Sequence, residues 1–405
     1  MKLIKLADSN ICTGCGACAA QCPRSCISMI EGDDGILLPQ IDVKTCIECH
    51  SCENVCPVIH SPERYEPQQA YAAWSNDVEE RRTSASGGVA LEIYKYAISK
   101  GWKVVGASQN EDFSVTHKLV STIEELPPLK NSKYVFSDAY DAFKQIKILL
   151  KDNIHIVFIG LPCQVAALRK LFRNSENLLL IEVVCHGATP LKYLVQHIHY
   201  LESCEGHVAK QLFFRDPDSG TYTYTFALYD ETGKRFYAKR TRDGDTYLYG
   251  YHLSISYREN CFHCQFAKRQ RVADITLGDY HGLGTIAPCG YLSKKVSCVL
   301  CNSSKGKAFL DEFIKSNRIY ADCRPIEEPI AGDARLRESN KKTKARCDFE
   351  KISLRNGYDF EMVMKEVIKR NKKRMIIHDI IHDIHKISRR VFLKIKKIVK
   401  QFRKT

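Results

Sequence analysis

Eight of the nineteen cysteines in this chain fall in two runs that share one spacing and lie close together. They are Cys12, Cys15, Cys18 and Cys22 in the first run, and Cys46, Cys49, Cys52 and Cys56 in the second. Each run reads C-x2-C-x2-C-x3-C and is followed at once by a proline. Turns this tight direct three sulfurs toward one point, and the proline turns the chain away without leaving an unsatisfied amide. The N-terminal part of the chain must therefore fold around whatever these thiols bind.

The spacing is that of bacterial two-cluster ferredoxins, in which the fourth cysteine of each run ligates the cluster held by the other run. It predicts two [4Fe-4S] clusters with the ligand sets Cys12, Cys15, Cys18, Cys56 and Cys46, Cys49, Cys52, Cys22. Structural zinc needs one tetrahedron of four ligands, and disulfides need an oxidising compartment. Neither alternative accounts for two identical runs, so residues 1–62 are predicted to form a two-cluster ferredoxin domain.

The rest of the 405-residue chain must hold further domains, because a domain usually has roughly 100 to 200 residues. The opening segment MKLIKLADSN has no apolar run long enough for a signal peptide, and no segment reaches the roughly 18 uninterrupted apolar residues of a membrane span. Cysteines in a chain without an export signal are expected to be metal ligands and reduced thiols. The predicted compartment is the cytoplasm.

Beyond a polar, proline-broken linker at residues 61–69, strand-like apolar runs alternate with segments of helical periodicity. Such alternation predicts a sheet with helices on both faces, and functional groups of such sheets lie just past the carboxyl ends of strands. A β-hairpin is predicted around the turn ETGK, and an aromatic helix over 245–259. The predicted fold class is α+β: the ferredoxin domain, then α/β domains with a mixed, largely parallel sheet, and a C-terminal basic amphipathic helix.

A series of short motifs extends over residues 70–320, in the order SxSGG, SKYVFS, GLPCQ, VCHG, FRDP, ENCFHC and RVADITLGDYHG. In this order they resemble the beta subunits of coenzyme F-420 hydrogenases and dehydrogenases, with an N-terminal-like domain at 66–150 and a C-terminal-like domain at 151–345. The resemblance implies an iron-sulfur flavoprotein in which FAD relays electrons between clusters and a two-electron donor or acceptor. Members of the family serve different substrates, including a deazaflavin and a chlorophyll derivative, and similar sequences are associated with surface-polysaccharide gene sets.

A third [4Fe-4S] cluster is predicted on Cys163, Cys185, Cys261 and Cys264, where the resemblance locates the family's own cluster. The residues alone leave this open, because a single C-x2-C is weak evidence and a free cysteine is often a small buried apolar residue. Alternative ligands are His186, His263 and His281. Cys298 and Cys301 are not expected to act together, because residues three apart on a strand point to opposite faces of the sheet.

Candidate flavin-binding residues are Ser84, Ser86, Gly87 and Gly88, together with Ser132, Lys133 and Tyr134 from the second motif. Small residues at a helix start can accommodate phosphate groups. The simple alternative for SxSGG is a helix cap with a flexible turn. No G-x-G-x-x-G follows a strand, so the sequence supports neither a Rossmann NAD site nor a Rossmann-type FAD site.

Most of the net charge of +14 lies in the C-terminal tail, residues 346–405. From Lys365 onward, 15 Lys and Arg stand against three acidic residues, with isoleucine, valine and leucine at helical spacing between them. Such a basic amphipathic helix can lie peripherally on an anionic membrane surface or dock on a partner, and a solvated charged face is the alternative. No nucleic-acid partner is expected, because the rest of the chain is nearly neutral.

The sequence therefore predicts a cytoplasmic iron-sulfur flavoprotein oxidoreductase that exchanges electrons with a redox partner protein or ferredoxin and with a small-molecule hydride donor or acceptor. One alternative is a non-catalytic electron-transfer subunit that bridges a partner enzyme and a carrier. Another is an accessory protein in which the clusters are structural. It is the least favoured of the three, because two ferredoxin-type clusters are more elaborate than a structural role requires.

Overall fold

The computed structural model describes residues 4–173 and 175–371, and the chain divides into two compact units, Met1–Lys342 and Thr343–Thr405. Within the described residues, no helix is both long enough and apolar enough to cross a bilayer. In the second unit, Lys344–Arg355 and residues 360–371 are helical, and the buried rings of Phe349 and Phe360 meet with centroids 6.5 Å apart. The predicted amphipathic helix from Lys365 lies mostly outside the described residues.

The strands are β1 (Ile27–Glu31), β2 (Leu37–Ile41), β3 (Gln69–Ser75), β4 (Lys103–Gln109), β5 (Val115–Val120), β6 (Ile156–Gly160), β7 (Leu178–Val183), β8 (Gln211–Phe213), β9 (Phe226–Tyr229), β10 (Arg235–Lys239), β11 (Ile275–Asp279), β12 (Ser297–Cys301) and β13 (Ile319–Arg324). The helices are α1 (Ala17–Gln21), α2 (Ser51–Asn54), α3 (Val78–Thr83), α4 (Val89–Ser99), α5 (Tyr140–Lys151), α6 (Pro162–Leu171), α7 (Leu191–Glu205), α8 (Thr246–His252), α9 (Ser304–Lys315), α10 (Glu327–Gly332) and α11 (Lys344–Arg355).

An eight-stranded sheet with the order β13-β3-β12-β11-β7-β6-β4-β5 forms the centre of the first unit. The adjacent strands β11, β7, β6 and β4 are parallel, and the other pairings are antiparallel. This confirms the predicted mixed, largely parallel sheet, and the structure shows that its parallel part lies in the middle. Because β12 is antiparallel to both β11 and β3, β3 runs in the same direction as the four parallel strands. The carboxyl ends of β3, β4, β6, β7 and β11 therefore lie along one edge. We call it the carboxyl edge.

Both faces of this sheet are covered by apolar side chains. On one face α4 and α9 pack on the strands through fully buried residues such as Ile93 and Phe313. On the other face α5 and α6 do so, and Ala17 and Val55 of the N-terminal module join the same cluster as Phe143. The module is thus built onto the sheet through a shared core, in which burial of each large apolar side chain contributes about 1.5 to 3 kcal/mol.

Two local predictions concern β12 and the region after β8. Cys298 and Cys301 of β12 belong to apolar clusters on opposite faces of the sheet, as predicted. The hairpin prediction is confirmed by the antiparallel pair β9 and β10, to which β8 adds a third strand. The predicted aromatic helix over 245–259 is wrong in its second half, because α8 ends at His252 and Ser254 has a φ of 55°, outside the helical region.

Candidate metal centres

Three cavities in the first unit are each lined by one of the predicted ligand sets. The first cavity is lined by Cys12, Cys15, Cys18 and Cys56. The second is lined by Cys22, Cys46, Cys49 and Cys52. The third is lined by Cys163, Cys185, Cys261 and Cys264. The fourth cysteine of each N-terminal run therefore faces the cavity of the other run, as the ferredoxin spacing predicts.

The sulfurs around these cavities are less closely grouped than the ligands of a single metal ion. Within the described part of the chain, no three cysteine sulfurs lie within 4.8 Å of one another. Four sulfurs bound to one zinc ion at 2.3 Å would be about 3.8 Å apart at the tetrahedral angle. The spacing of the thiols therefore fits a larger group, such as a cluster, better than it fits structural zinc.

Burial disfavours ionisation of these thiols. It raises the pKa of Cys15 to about 12, and it raises the pKa of Cys163 well above the usual thiol value. The neighbouring thiols of Cys185, Cys264 and Cys15 raise the pKa of Cys163 further. Such groups remain neutral unless a metal takes the place of the proton, because a coordinating thiol is deprotonated by the metal's charge.

The first cavity is formed where α1 begins. Gly14 and Gly16 precede this helix with φ values of 61° and 78°. A Cβ on Gly14 would lie 2.6 Å from the carbonyl oxygen of Leu37 and 2.6 Å from Nη2 of Arg258. Glycine is therefore required at position 14, both for its left-handed backbone and for the close approach of an arginine from the second half of the chain.

A fifth cysteine, which sequence reasoning missed, lies at the second cavity. Cys26 lines this cavity, and its Sγ is 3.4 Å from Sγ of Cys22. Its hydrogen bond with the Cys22 thiol is the main reason why the pKa of Cys26 is raised to about 12. The sequence signal for it is weak, because Cys26 follows Cys22 by four residues, outside the ferredoxin spacing.

The third cavity lies at the carboxyl edge, where sequence-distant segments meet. Cys163 is in the first turn of α6, directly after β6, and Cys185 follows the neighbouring parallel strand β7. The start of α6 is fixed by Gln164, whose side-chain oxygen accepts a hydrogen bond of 2.9 Å from the amide of Leu161. Cys261 and Cys264 come from the 3-10 turn Glu259–His263 and the residue after it. The structure thus brings together all four cysteines predicted for a third site.

Arg258 lies between the first and third cavities. Its side chain is 2% exposed, its Nη1 donates to the carbonyl oxygen of Thr13 at 2.9 Å, and its guanidinium lies 3.9 Å from the ring centre of Phe136. The charge of Arg258 acts on the thiols of both Cys12 and Cys163. Its Nη2 has no hydrogen-bond partner among the described residues, although a buried donor without a partner costs about 1 to 3 kcal/mol.

Two further buried polar atoms find no partner within residues 4–173 and 175–371, and both belong to residues that line the third cavity: Oδ1 of Asn260 and Nη1 of Arg335. Thr13 lines both the first and the third cavity, so the two lie next to each other. Unpaired guanidinium donors beside four thiols fit an anionic iron-sulfur cluster, whose sulfur atoms accept hydrogen bonds. The residues at the third cavity therefore fit an iron-sulfur cluster.

Arg215 lies farther along the carboxyl edge and forms hydrogen bonds with residues of three other motifs. Its only sequence signal is its place in the motif FRDP. Its Nε donates to the hydroxyl oxygen of Tyr134 at 2.6 Å, and its Nη1 donates to the carbonyl oxygen of Ala85 at 2.8 Å. Its Nη2 donates to Oδ2 of Asp279 at 2.7 Å. Burial works against the charge of Asp279, but Arg215 outweighs it and holds the pKa of that carboxyl below its usual range.

The predicted flavin residues of the first motif are partly occupied by protein contacts. Ser84 Oγ donates to Glu80 at 2.6 Å, and Ser86 Oγ donates to the carbonyl oxygen of Val296 at 3.1 Å. A Cβ on Gly87 would lie 2.5 Å from the carbonyl oxygen of Ala73, so this glycine is required for packing against the sheet. Gly88, with a φ of 85°, is the N-cap of α4, which has no side-chain cap. The helix start therefore retains amides that fit a phosphate group.

The residues of the second motif lie beside Arg215. Ser132 interacts with the hydroxyl of Tyr134, whose ring stacks on Tyr251 with centroids 4.4 Å apart. Lys133 Nζ donates to the carbonyl oxygen of Lys130 at 2.8 Å, and burial lowers the pKa of Lys133 to about 7. These residues supply an aromatic surface and basic groups near the start of α4, but each also has a partner within the protein.

Two segments of the chain match known protein families. Residues 11–59 match the family described as 4Fe-4S dicluster domain. Residues 154–326 match the family that comprises the C-terminal part of coenzyme F420 hydrogenase/dehydrogenase beta subunits. The predicted ferredoxin domain and the predicted family resemblance are both confirmed by these matches.

Similar proteins include the F subunit of F(420)H(2) dehydrogenase from Methanosarcina mazei, 25% identical over 193 residues, which are 44% of this chain and 54% of that protein. Coenzyme F420-dependent sulfite reductase of Methanocaldococcus jannaschii is 29% identical over 180 residues, which are 42% of this chain and 26% of that protein. The chain thus matches about half or less of the length of these curated relatives. A chain of the F420-reducing [NiFe] hydrogenase complex from Methanosarcina barkeri aligns at 18% identity over 76% of this chain and 91% of its own length. The TM-score of this alignment is 0.43.

Proposed function

Because the chain combines a 4Fe-4S dicluster domain with a domain found in coenzyme F420 hydrogenase/dehydrogenase beta subunits, we propose that it is an iron-sulfur flavoprotein oxidoreductase. It would hold two ferredoxin-type [4Fe-4S] clusters, a third [4Fe-4S] cluster and FAD, and exchange electrons with a two-electron carrier or substrate. The observation that carries the proposal is the set of three cavities, each lined by four cysteines.

The arrangement of the cavities supports an order for electron transfer. The second cavity is lined only by residues of the N-terminal module, and the first shares Thr13 with the third. The thiol of Cys15 also acts on the ionisation of Cys163 across the boundary between module and sheet. Single electrons would therefore pass between the second, first and third sites in that order, with Arg258 between the last two.

FAD, when bound, would supply the step that converts single electrons into a hydride equivalent. The residues available to hold it are the start of α4 after Gly88 and the aromatic and basic side chains around Tyr134 and Arg215. The hydride donor or acceptor is proposed to be a small molecule. A function in polysaccharide biosynthesis remains part of the proposal only through the family resemblance.

A redox partner protein is the second part of the proposal. The two curated relatives are oxidoreductases or parts of them, and this chain matches only part of their length. If the chain has no substrate site, the same cofactors would make it an electron-transfer subunit between a partner enzyme and a carrier. The proposed location is the cytoplasm, where thiols stay reduced. Peripheral binding to an anionic membrane would depend on the basic segment of the tail, most of which lies outside the described residues.

Anaerobic purification followed by iron, acid-labile sulfide and flavin analysis tests the proposal. Three clusters of four iron atoms each predict about twelve iron atoms per chain, together with about one FAD. About eight iron atoms per chain would contradict the third cluster. Absence of FAD would contradict the assignment as a flavoprotein. If no candidate hydride carrier supports turnover, the electron-transfer subunit is favoured instead.

A further inference from the structure

Two histidines that the three cysteine sets do not use lie at the carboxyl edge. His186 follows β7 and His281 follows β11, and these two strands are parallel neighbours in the sheet. The carboxyl ends of neighbouring parallel strands lie side by side, so residues that follow them come together. The two imidazole rings accordingly lie with centroids 6.4 Å apart.

Close backbone packing brings a carboxylate to the same place. A Cβ on Gly332 would lie 2.3 Å from the carbonyl oxygen of His281, and a Cβ on Gly282 would lie 3.0 Å from Cα of Gly332. The turn after His281 therefore contacts the end of α10 directly, and Asp333 is the next residue. Its Oδ1 accepts a hydrogen bond of 2.8 Å from the amide of Arg335, and its Oδ2 faces the histidines.

The distances among the three side chains fit a bound ion. Oδ2 of Asp333 is 3.6 Å from Nε2 of His186 and 4.0 Å from Nε2 of His281, and all three ligand atoms lie within 4.8 Å of one another. Both distances exceed the roughly 2.7 to 3.2 Å of an N–H···O hydrogen bond. Ligands about 2.1 Å from one ion are about 3.4 Å apart at the tetrahedral angle, so a small contraction closes the site.

We propose that His186, His281 and Asp333 bind one divalent first-row transition-metal ion that is separate from the cluster iron. Two imidazoles and one carboxylate with open positions are a ligand set used for Fe²⁺ and for catalytic Zn²⁺. The carboxylate is 8% exposed, whereas the imidazoles are 48% and 44% exposed, so the open positions face solvent. Water or an oxygen atom of a small anionic molecule is the ligand expected there.

The ion would lie beside the third cavity but would not be bound by its four cysteines. His186 is next to Cys185 in the chain and lines the same cavity, whereas its Nε2 is directed to Asp333. An oxygen ligand on the ion would thus be bound beside the third cavity. The inference does not depend on the proposed oxidoreductase function, because it concerns only the three side chains.

Titration with Mn²⁺ tests the site, since this ion prefers oxygen and nitrogen ligands to the many thiols of the chain. Anaerobic full-length protein, with its clusters in place and treated with a chelator under conditions that leave cluster iron unchanged, is titrated while free Mn²⁺ is followed by its EPR signal. We expect one bound ion per chain. The variants His281→Ala and Asp333→Asn are each expected to bind at least about tenfold more weakly, and asparagine can still accept from the amide of Arg335.

The matched control is His207→Ala, because His207 is 40% exposed and its Nδ1 is 3.5 Å from Oδ2 of Asp230, yet this pair belongs to no three-ligand group in the described part of the chain. This variant should bind Mn²⁺ like the unaltered protein. No specific Mn²⁺ binding by the unaltered protein, or equal binding by His281→Ala, overturns the proposal. Loss of cluster iron in His281→Ala also overturns it, because the histidine would then be a cluster ligand.

Discussion

Replacing Arg258 by glutamine should lower the reduction potentials of the clusters in the first and third cavities. Reduction adds one negative charge to a cluster, and the positive charge of the buried guanidinium stabilises that added charge. For a charge about 6 Å from the cluster, Coulomb's law in an effective dielectric of about 20 gives a contribution of about 2.8 kcal/mol. Since about 1.4 kcal/mol corresponds to about 59 mV for one electron, the expected decrease is on the order of 100 mV.

The assay is an EPR-monitored redox titration of anaerobic protein, preceded by iron analysis to show that the clusters are intact. Arg258→Lys is the matched control, because it retains the positive charge while losing the second donor near Gly14. Its potentials should stay within about 30 mV of the original values, which is about a quarter of the full charge effect. Unchanged potentials in Arg258→Gln at full iron content would refute the argument that this side chain acts electrostatically on both sites.

Further predictions concern the clusters, the sheet and the tail. Cys15→Ser should stop reduction of the flavin by a low-potential donor, whereas Cys301→Ser should not, and stopped-flow absorbance distinguishes the two. Cys163→Ser should lower the iron content from about twelve to about eight atoms per chain, by the count of four per cluster. Gly87→Ala should lower the free energy of unfolding by about 1 to 3 kcal/mol in denaturant titrations, because its Cβ has no room against β3. Deletion of residues 372–405 should release the protein from anionic vesicles, with binding that weakens as salt is raised, and a full-length protein that never binds vesicles would contradict this.

Much of the fold and of the N-terminal site could be predicted from local sequence. The ferredoxin ligand sets follow from spacing because residues three apart in a tight turn face one point wherever the turn is placed. Cys298 and Cys301 could be set aside for an equally local reason, the alternation of side chains along a strand. The strands and helices around Cys163 and Cys185 were also readable, since hydrophobic periodicity depends only on neighbouring residues. Periodicity was misleading at residues 253–259, where Leu253, Ile255 and Tyr257 extend the apolar pattern although the backbone leaves the helical region at Ser254.

The contacts between sequence-distant segments were decided by tertiary structure. Arg258 reaches Thr13 and Gly14 across 245 and 244 positions, and no periodicity links those residues. His186 and His281 meet because β11 joins the sheet beside β7, and Asp333 joins them because Gly282 and Gly332 allow two turns to touch. A local sequence pattern indicates the direction in which a side chain points from its own helix or strand. It does not determine the order of strands in a sheet, because that order results from burying all the apolar faces together. The strand order decides which sequence-distant side chains become neighbours.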